Sequence, residues 1–126
     1  MKFREVKLKN MKVPEKDEIN QQLQWLSQAL GLAGNRDKSH SCFRLFIELL
    51  KATKMQKPMS SDELAFNLNL SRCTVVHHLN RLMDSGLIIS HKNKYLLRAT
   101  SLGRLIKELK ADTEEFFASL EKVAKE

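Results

Sequence analysis

The chain has 126 residues, enough for one domain with a modest core. Four Gly and two Pro are too few for an all-β fold with many tight turns, so a mainly helical fold is expected. Twenty-two Lys and Arg against fifteen Asp and Glu give a formal net charge of +7, which favours a polyanionic partner because basic surfaces release counterions from phosphate backbones.

The first element, residues 1–13, is a basic N-terminal arm in which Phe3, Val6 and Leu8 alternate loosely, either a short strand or a mobile segment. Pro14, a good first-turn residue, opens a helix over 14–31. Ile19, Leu23, Leu26 and Leu30 recur at four and three residues and form one apolar stripe, widened by Trp25 and Ala29, before Gly31 and Gly34 stop it. Asp37 or Ser39 can cap the next helix, whose buried face is Cys42, Leu45, Phe46, Leu49 and Leu50. Lys51, Lys54 and Lys57 crowd its end, where cations complement the helix dipole, and Pro58 closes the segment.

Residues 60–98 are the most regular part. Ser60 and Glu63 have capping-box spacing ahead of a short helix with Leu64, Ala65 and Leu68 on its apolar side. A tight turn containing Leu70 leads to Ser71, placed to cap a second helix carrying Val75, Leu79 and Leu82. That helix ends at Ser85-Gly86, where glycine supplies a left-handed cap. The period then changes from helical to extended. Leu87–Ser90 and Tyr95–Arg98 read as strands joined through His91-Lys92-Asn93-Lys94, with Asn tolerating the positive φ of a hairpin turn. Thr100 or Ser101 caps a last helix over 101–125, along which Ile106, Leu109, Thr113, Phe116, Leu120 and Val123 recur at three and four, a heptad seam interrupted by one Thr.

Two short capped helices followed by a basic hairpin give the layout of a winged helix-turn-helix, mainly α with a small β-hairpin wing, flanked by long N- and C-terminal dimerisation helices. Two helices at a steep angle leave one free to lie in the DNA major groove, while the hairpin reaches phosphates or the adjacent minor groove. At about 100° per residue, Val75, His78, Leu79 and Leu82 share the core face, and Cys73, Val76, His77 and Asn80 fall opposite, with Arg72 in the first turn. Asn pairs with adenine edges, Arg with guanine, and the methyls of Val76 can meet a thymine methyl. A merely solvated face would hold Glu and Lys instead. At the hairpin tip, His91, Lys92 and Lys94 suit phosphates, with Arg98 nearby; their alternative use is to keep a sheet edge from pairing.

The run from Leu70-Ser71-Arg72-Cys73-Thr74-Val75-Val76-His77-His78-Leu79-Asn80-Arg81-Leu82 to Gly86-Leu87-Ile88 resembles the recognition helix and first wing strand of ArsR-like repressors, in which Ser-x-x-Thr-Val-Ser-His-His-Leu is common. The resemblance covers Ser60 to about Gly103. It implies DNA contacts at the positions of Arg72, Cys73, Val76 and His77; Val76 stands where the family often has Ser, a methyl in place of a hydrogen-bonding group. Taken with the helix faces and charges, the expected DNA-binding set is Ser71, Arg72, Cys73, Val76, His77, Asn80, Arg81, Lys92 and Lys94. The expected dimerisation set is Leu23, Leu26, Leu30, Ile106, Leu109, Phe116, Leu120 and Val123, because a helix of this length exceeds what so small a core covers.

The expectation is thus a single-domain, homodimeric regulator of double-stranded DNA, acting by repression. It is cytoplasmic, nucleoid-associated when bound, and without membrane contact, since no run approaches ~18 apolar residues. Cys42 and Cys73 are too few for a disulfide framework and read as reduced thiols. No cofactor or metal is expected: several ArsR-like sensors use paired thiols ahead of the recognition unit or Asp and His on the terminal helices. Here Cys42 stands alone in its helix, and the adjacent His77 and His78 diverge by about 100°. No Gly-rich phosphate loop, nucleophile elbow or acidic pair points to an enzyme. The alternative is a winged-helix protein–protein interaction module within a larger assembly, which would carry a less basic wing and an apolar or acidic recognition face. Structured RNA is poorly matched, because the deep, narrow A-form major groove does not admit a helix well.

Overall fold

Eight elements follow one another in the computed structural model, which describes residues 19–32 and 40–125. They are α1 (Ile19–Ala29), α2 (Ser41–Lys54), β1 (Met59–Ser60), α3 (Ser61–Leu68), α4 (Arg72–Asp84), β2 (Ile88–His91), β3 (Lys94–Leu97) and α5 (Leu102–Ala124). The basic arm over 1–13, the Pro14 helix start and the caps expected from Asp37 or Ser39 lie outside the described residues. Entry to α2 is from His40 in a left-handed conformation, φ 54°, with no side-chain cap.

The core is built around α2. Its Cys42, Leu45, Phe46 and Leu49 are fully buried and meet Leu64 of α3, Val75, Leu79 and Leu82 of α4, and Leu105 of α5. Four helices end the same way. After α1, Leu32 N–H donates to Ser27 C=O at 2.9 Å, and Lys57 to Ala52, Leu70 to Ala65 and Leu87 to Leu82 repeat that bond after α2, α3 and α4. Each needs a left-handed residue just before the donor: Gly31, Gln56, Asn69 and Gly86 supply it.

The wing is a three-stranded antiparallel sheet of order β1-β3-β2 rather than a bare hairpin. Met59 pairs with Tyr95 and Ser60 with Lys94, so the two residues before α3 cover the free edge of β3. The β2–β3 ladder runs from Ile88–Leu97 to His91–Lys94. His91 and Lys94 therefore belong to the strands, and the expected four-residue connection shrinks to Lys92-Asn93. Both are left-handed, φ 53° and 63°, as a two-residue hairpin turn matching the strand twist requires. Thr53 of α2 accepts a hydrogen bond from Leu97 N–H at 3.0 Å, which docks the sheet on the core. The architecture is a mainly helical winged helix-turn-helix.

Candidate nucleic-acid interface

The corner between α3 and α4 is held at both ends by local hydrogen bonds. Ser60 Oγ accepts from Glu63 N–H at 3.1 Å while the Glu63 carboxylate accepts from Ser60 N–H, the capping box anticipated from the sequence. Asn69 turns the chain, and Ser71 caps α4 by accepting from Thr74 N–H at 3.1 Å; its hydroxyl donates onward to Thr74 Oγ1 at 2.8 Å. From α2, Arg44 donates to Leu68 C=O at 2.8 Å, satisfying a carbonyl at the end of α3. These bonds fix the angle at which α4 leaves the body.

The two faces of α4 divide as its period demands. Val75, His78, Leu79 and Leu82 are buried. His78 reaches the core through its Nε2, which lies 2.7 Å from Ser41 Oγ in the first turn of α2 and shares a buried hydrogen bond with it. Cys73, Val76, His77 and Asn80 are exposed on the opposite side, as is Arg72 in the first turn. Arg72 is paired with Asp62 of α3 at 3.6 Å, with both side chains about three-quarters exposed. In that much water the pair is weak and a phosphate or base can replace the carboxylate. Asp62 escaped the sequence reading, although an acid in the first turn of α3 is the signal that finds it. One turn further along that helix, Phe66 is 87% exposed. Arg81 is half-buried in the last turn of α4, one turn beyond His77 at the flank of the exposed face.

At the wing tip, His91, Lys92 and Lys94 are all exposed. Arg98, whose nearby charge in the sequence favours phosphate contact at the hairpin tip, is engaged elsewhere. Its guanidinium donates to Glu108 at 3.0 Å and to both Asp112 oxygens at 2.7 and 3.2 Å, so α5 holds it. The Asp112 hydrogen bonds, more than any other influence, raise its pKa above the ordinary arginine value. Held by these carboxylates, the guanidinium is turned to α5 and away from a role as a free phosphate ligand.

The terminal helices show where apolar surface is left over. Among the dimerisation candidates, Leu26 and Leu30 of α1 are half-buried, Leu30 against the chain's own core, and the Leu23 side chain lies outside the described residues. On α5, Leu105 is fully buried and Leu102 and Leu109 pack on the core, so Leu109 faces inward. Ile106, Leu120 and Val123 are exposed, with Phe116 half-buried against the edge of Phe117. Ser101, rather than Thr100, caps this helix by accepting from Arg104 N–H at 3.2 Å.

Among the described residues, no three His, Cys, Asp or Glu side chains are placed to hold a metal ion, and no helix is long and apolar enough to cross a membrane. Cys42 is buried and Cys73 exposed, and they form no disulfide. Residues 48–90, from within α2 through α3 and α4 into β2, match the family model of the bacterial regulatory protein, arsR family. That domain is the helix-turn-helix of DNA-binding transcriptional regulators. No curated protein and no solved structure matches the chain.

Proposed function

We propose that the protein is a homodimeric, cytoplasmic transcriptional repressor that inserts α4 into the major groove of double-stranded DNA. The observation that carries this reading is the division of α4. One face is locked into the core by Val75, His78, Leu79 and Leu82, and the other presents Cys73, Val76, His77 and Asn80 to solvent within the ArsR-type segment. A protein-binding recognition face would be acidic or broadly apolar, and this one is neither.

In the bound state Arg72 exchanges Asp62 for a phosphate or a guanine edge, and Asn80 and His77 hydrogen-bond to base edges or backbone. Val76 supplies an apolar contact, with its methyls against a thymine methyl. Cys73 lies close to the helix N-terminus, where its small side chain lets the backbone approach the groove. Ser71 keeps the N-terminal amides of α4 in register for a phosphate, and Arg81 contributes long-range attraction from the last turn. Lys92 and Lys94 meet phosphates on the flank and add affinity without sequence information.

Pairing of two chains uses the outward residues of α5 (Ile106, Phe116, Leu120 and Val123) together with α1. It sets two recognition helices about 34–36 Å apart, the repeat of successive major grooves on one side of the duplex. Occupancy of a promoter by such a dimer blocks transcription without any activating surface. Selection of bound sequences from a random duplex library tests the reading. Enrichment of a pseudo-palindrome with half-sites about 10–10.5 bp apart supports it. A pool that stays random through repeated rounds contradicts it.

A further inference from the structure

Arg98 joins three parts of the fold. Its backbone N–H donates to Leu87 C=O at 3.0 Å, closing the β2–β3 ladder at the base of the wing. Its side chain spans to α5, donating to Glu108 at 3.0 Å and pairing with both oxygens of Asp112. The same guanidinium lies 3.5 Å from the carbonyl of Gly86, the residue that ends α4. The side chain is only 21% exposed, and Asp112 little more, at 26%. In that setting a bidentate pair is stronger and more directional than an exposed one. Glu108 and Asp112 are four residues apart and so share one face of α5, along the stretch that begins just beyond its buried anchor Leu105.

We infer that Arg98 is a positioning residue: without touching DNA, it fixes the wing and the C-terminal end of the recognition helix to α5, so that the placement of the pairing helix sets the placement of the DNA-reading elements. The inference rests on the DNA-binding reading above and adds the physical link between the two functions assigned to the chain. A guanidinium is suited to this role because its planar fork engages two carboxylates and a carbonyl at once, which a lysine ammonium cannot do with the same geometry.

The sign of one substitution separates this role from direct DNA contact. If Arg98 were a phosphate ligand held in reserve, Asp112→Asn would release it and remove a repelling charge, and DNA binding would tighten. As a positioning residue, it loses its bidentate partner with the same change and keeps only Glu108 on α5; the wing loosens, and binding weakens although a negative charge has been removed.

The experiment uses the full chain as wild type, Arg98→Ala, Arg98→Lys, Asp112→Asn and the Arg98→Ala, Asp112→Asn double variant. Each is titrated with a random-sequence duplex at low salt, and amide hydrogen exchange is followed in the free proteins. The expected result is a loss of roughly tenfold in affinity for Arg98→Ala and for Asp112→Asn, with no further loss in the double variant, as for groups sharing one ion-pair network. Arg98→Lys, the variant gentlest on folding, falls between. Exchange accelerates at the β2 and β3 amides while those of α2 around Leu45 and Leu49 keep their protection. Tighter binding by Asp112→Asn, additive losses, or unchanged exchange in the wing overturns the inference. If wild type itself fails to bind the duplex, the DNA-binding reading falls. The exchange comparison then decides on its own whether Arg98 positions the wing.

Discussion

Ser41 Oγ and His78 Nε2 share a buried hydrogen bond of 2.7 Å, joining the first turn of α2 to the inner face of α4. The bond allows a polar ring to sit in the core of the helix-turn-helix. Ser41→Ala removes the hydroxyl and leaves the imidazole nitrogen without this partner, the arrangement in which desolvation is no longer compensated. The expected loss is about 1–3 kcal/mol in unfolding free energy. Urea denaturation measures it, and a midpoint unchanged from wild type contradicts the assignment.

The two faces of α4 separate stability from binding. Leu79 is 1% exposed, and Leu79→Ala is expected to lower stability by about 2–5 kcal/mol through lost burial and a residual cavity. Val76 is 38% exposed, and Val76→Ala is expected to change stability by no more than about 0.5 kcal/mol while weakening DNA binding. Paired urea and binding titrations check both halves. A large stability loss from Val76→Ala would mean that the outer face is not the free one.

Ser71 has a structural duty whatever else it does. Its hydroxyl caps α4 through Thr74 N–H at 3.1 Å, so Ser71→Ala is expected to cost about 1 kcal/mol. Ser71→Asp retains the cap and holds stability, but it brings a negative charge to the DNA side and weakens binding. Measuring melting and DNA affinity for the pair of variants separates capping from phosphate binding.

Pairing through α5 makes a prediction for Leu120, 48% exposed in the single chain. Leu120→Glu places a charge in the apolar seam, where pairing would bury it without a partner. Wild type is expected to sediment as a dimer at micromolar concentration and Leu120→Glu as a monomer with unchanged helix content. A wild-type monomer at that concentration contradicts the pairing.

Much of the helix-turn-helix is legible in the sequence because its signals are local. The three-and-four spacing of Val75, Leu79 and Leu82 fixes the phase of α4. Ser60 with Glu63 and Ser71 mark helix starts within a single turn, and Gly86 marks an end. What escaped depends on residues distant in the chain or too short to carry a period. β1 is two residues, and its evidence is the pairing of Met59 with Tyr95 across the fold. Lys92 adopts a positive φ that its residue type disfavours, because the two-residue turn imposes it. The fate of Arg98 depends on Glu108 and Asp112 arriving from another element, which no spacing rule anticipates. Leu109 fits the heptad seam but turns inward with Leu102 and Leu105, because α5 serves its own core at one end before it leaves apolar surface exposed at the other.

The most direct test of the central claim is a salt titration of binding to a random-sequence duplex by wild type and by the Arg72→Ala, His77→Ala double variant. The account predicts affinity that falls steeply and log-linearly with salt for wild type. The variant should bind more weakly with a shallower slope, by about one for each phosphate that no longer meets a cation. Wild type that does not bind even at low salt, or a variant indistinguishable from it, would contradict the assignment of α4 as the DNA-reading helix.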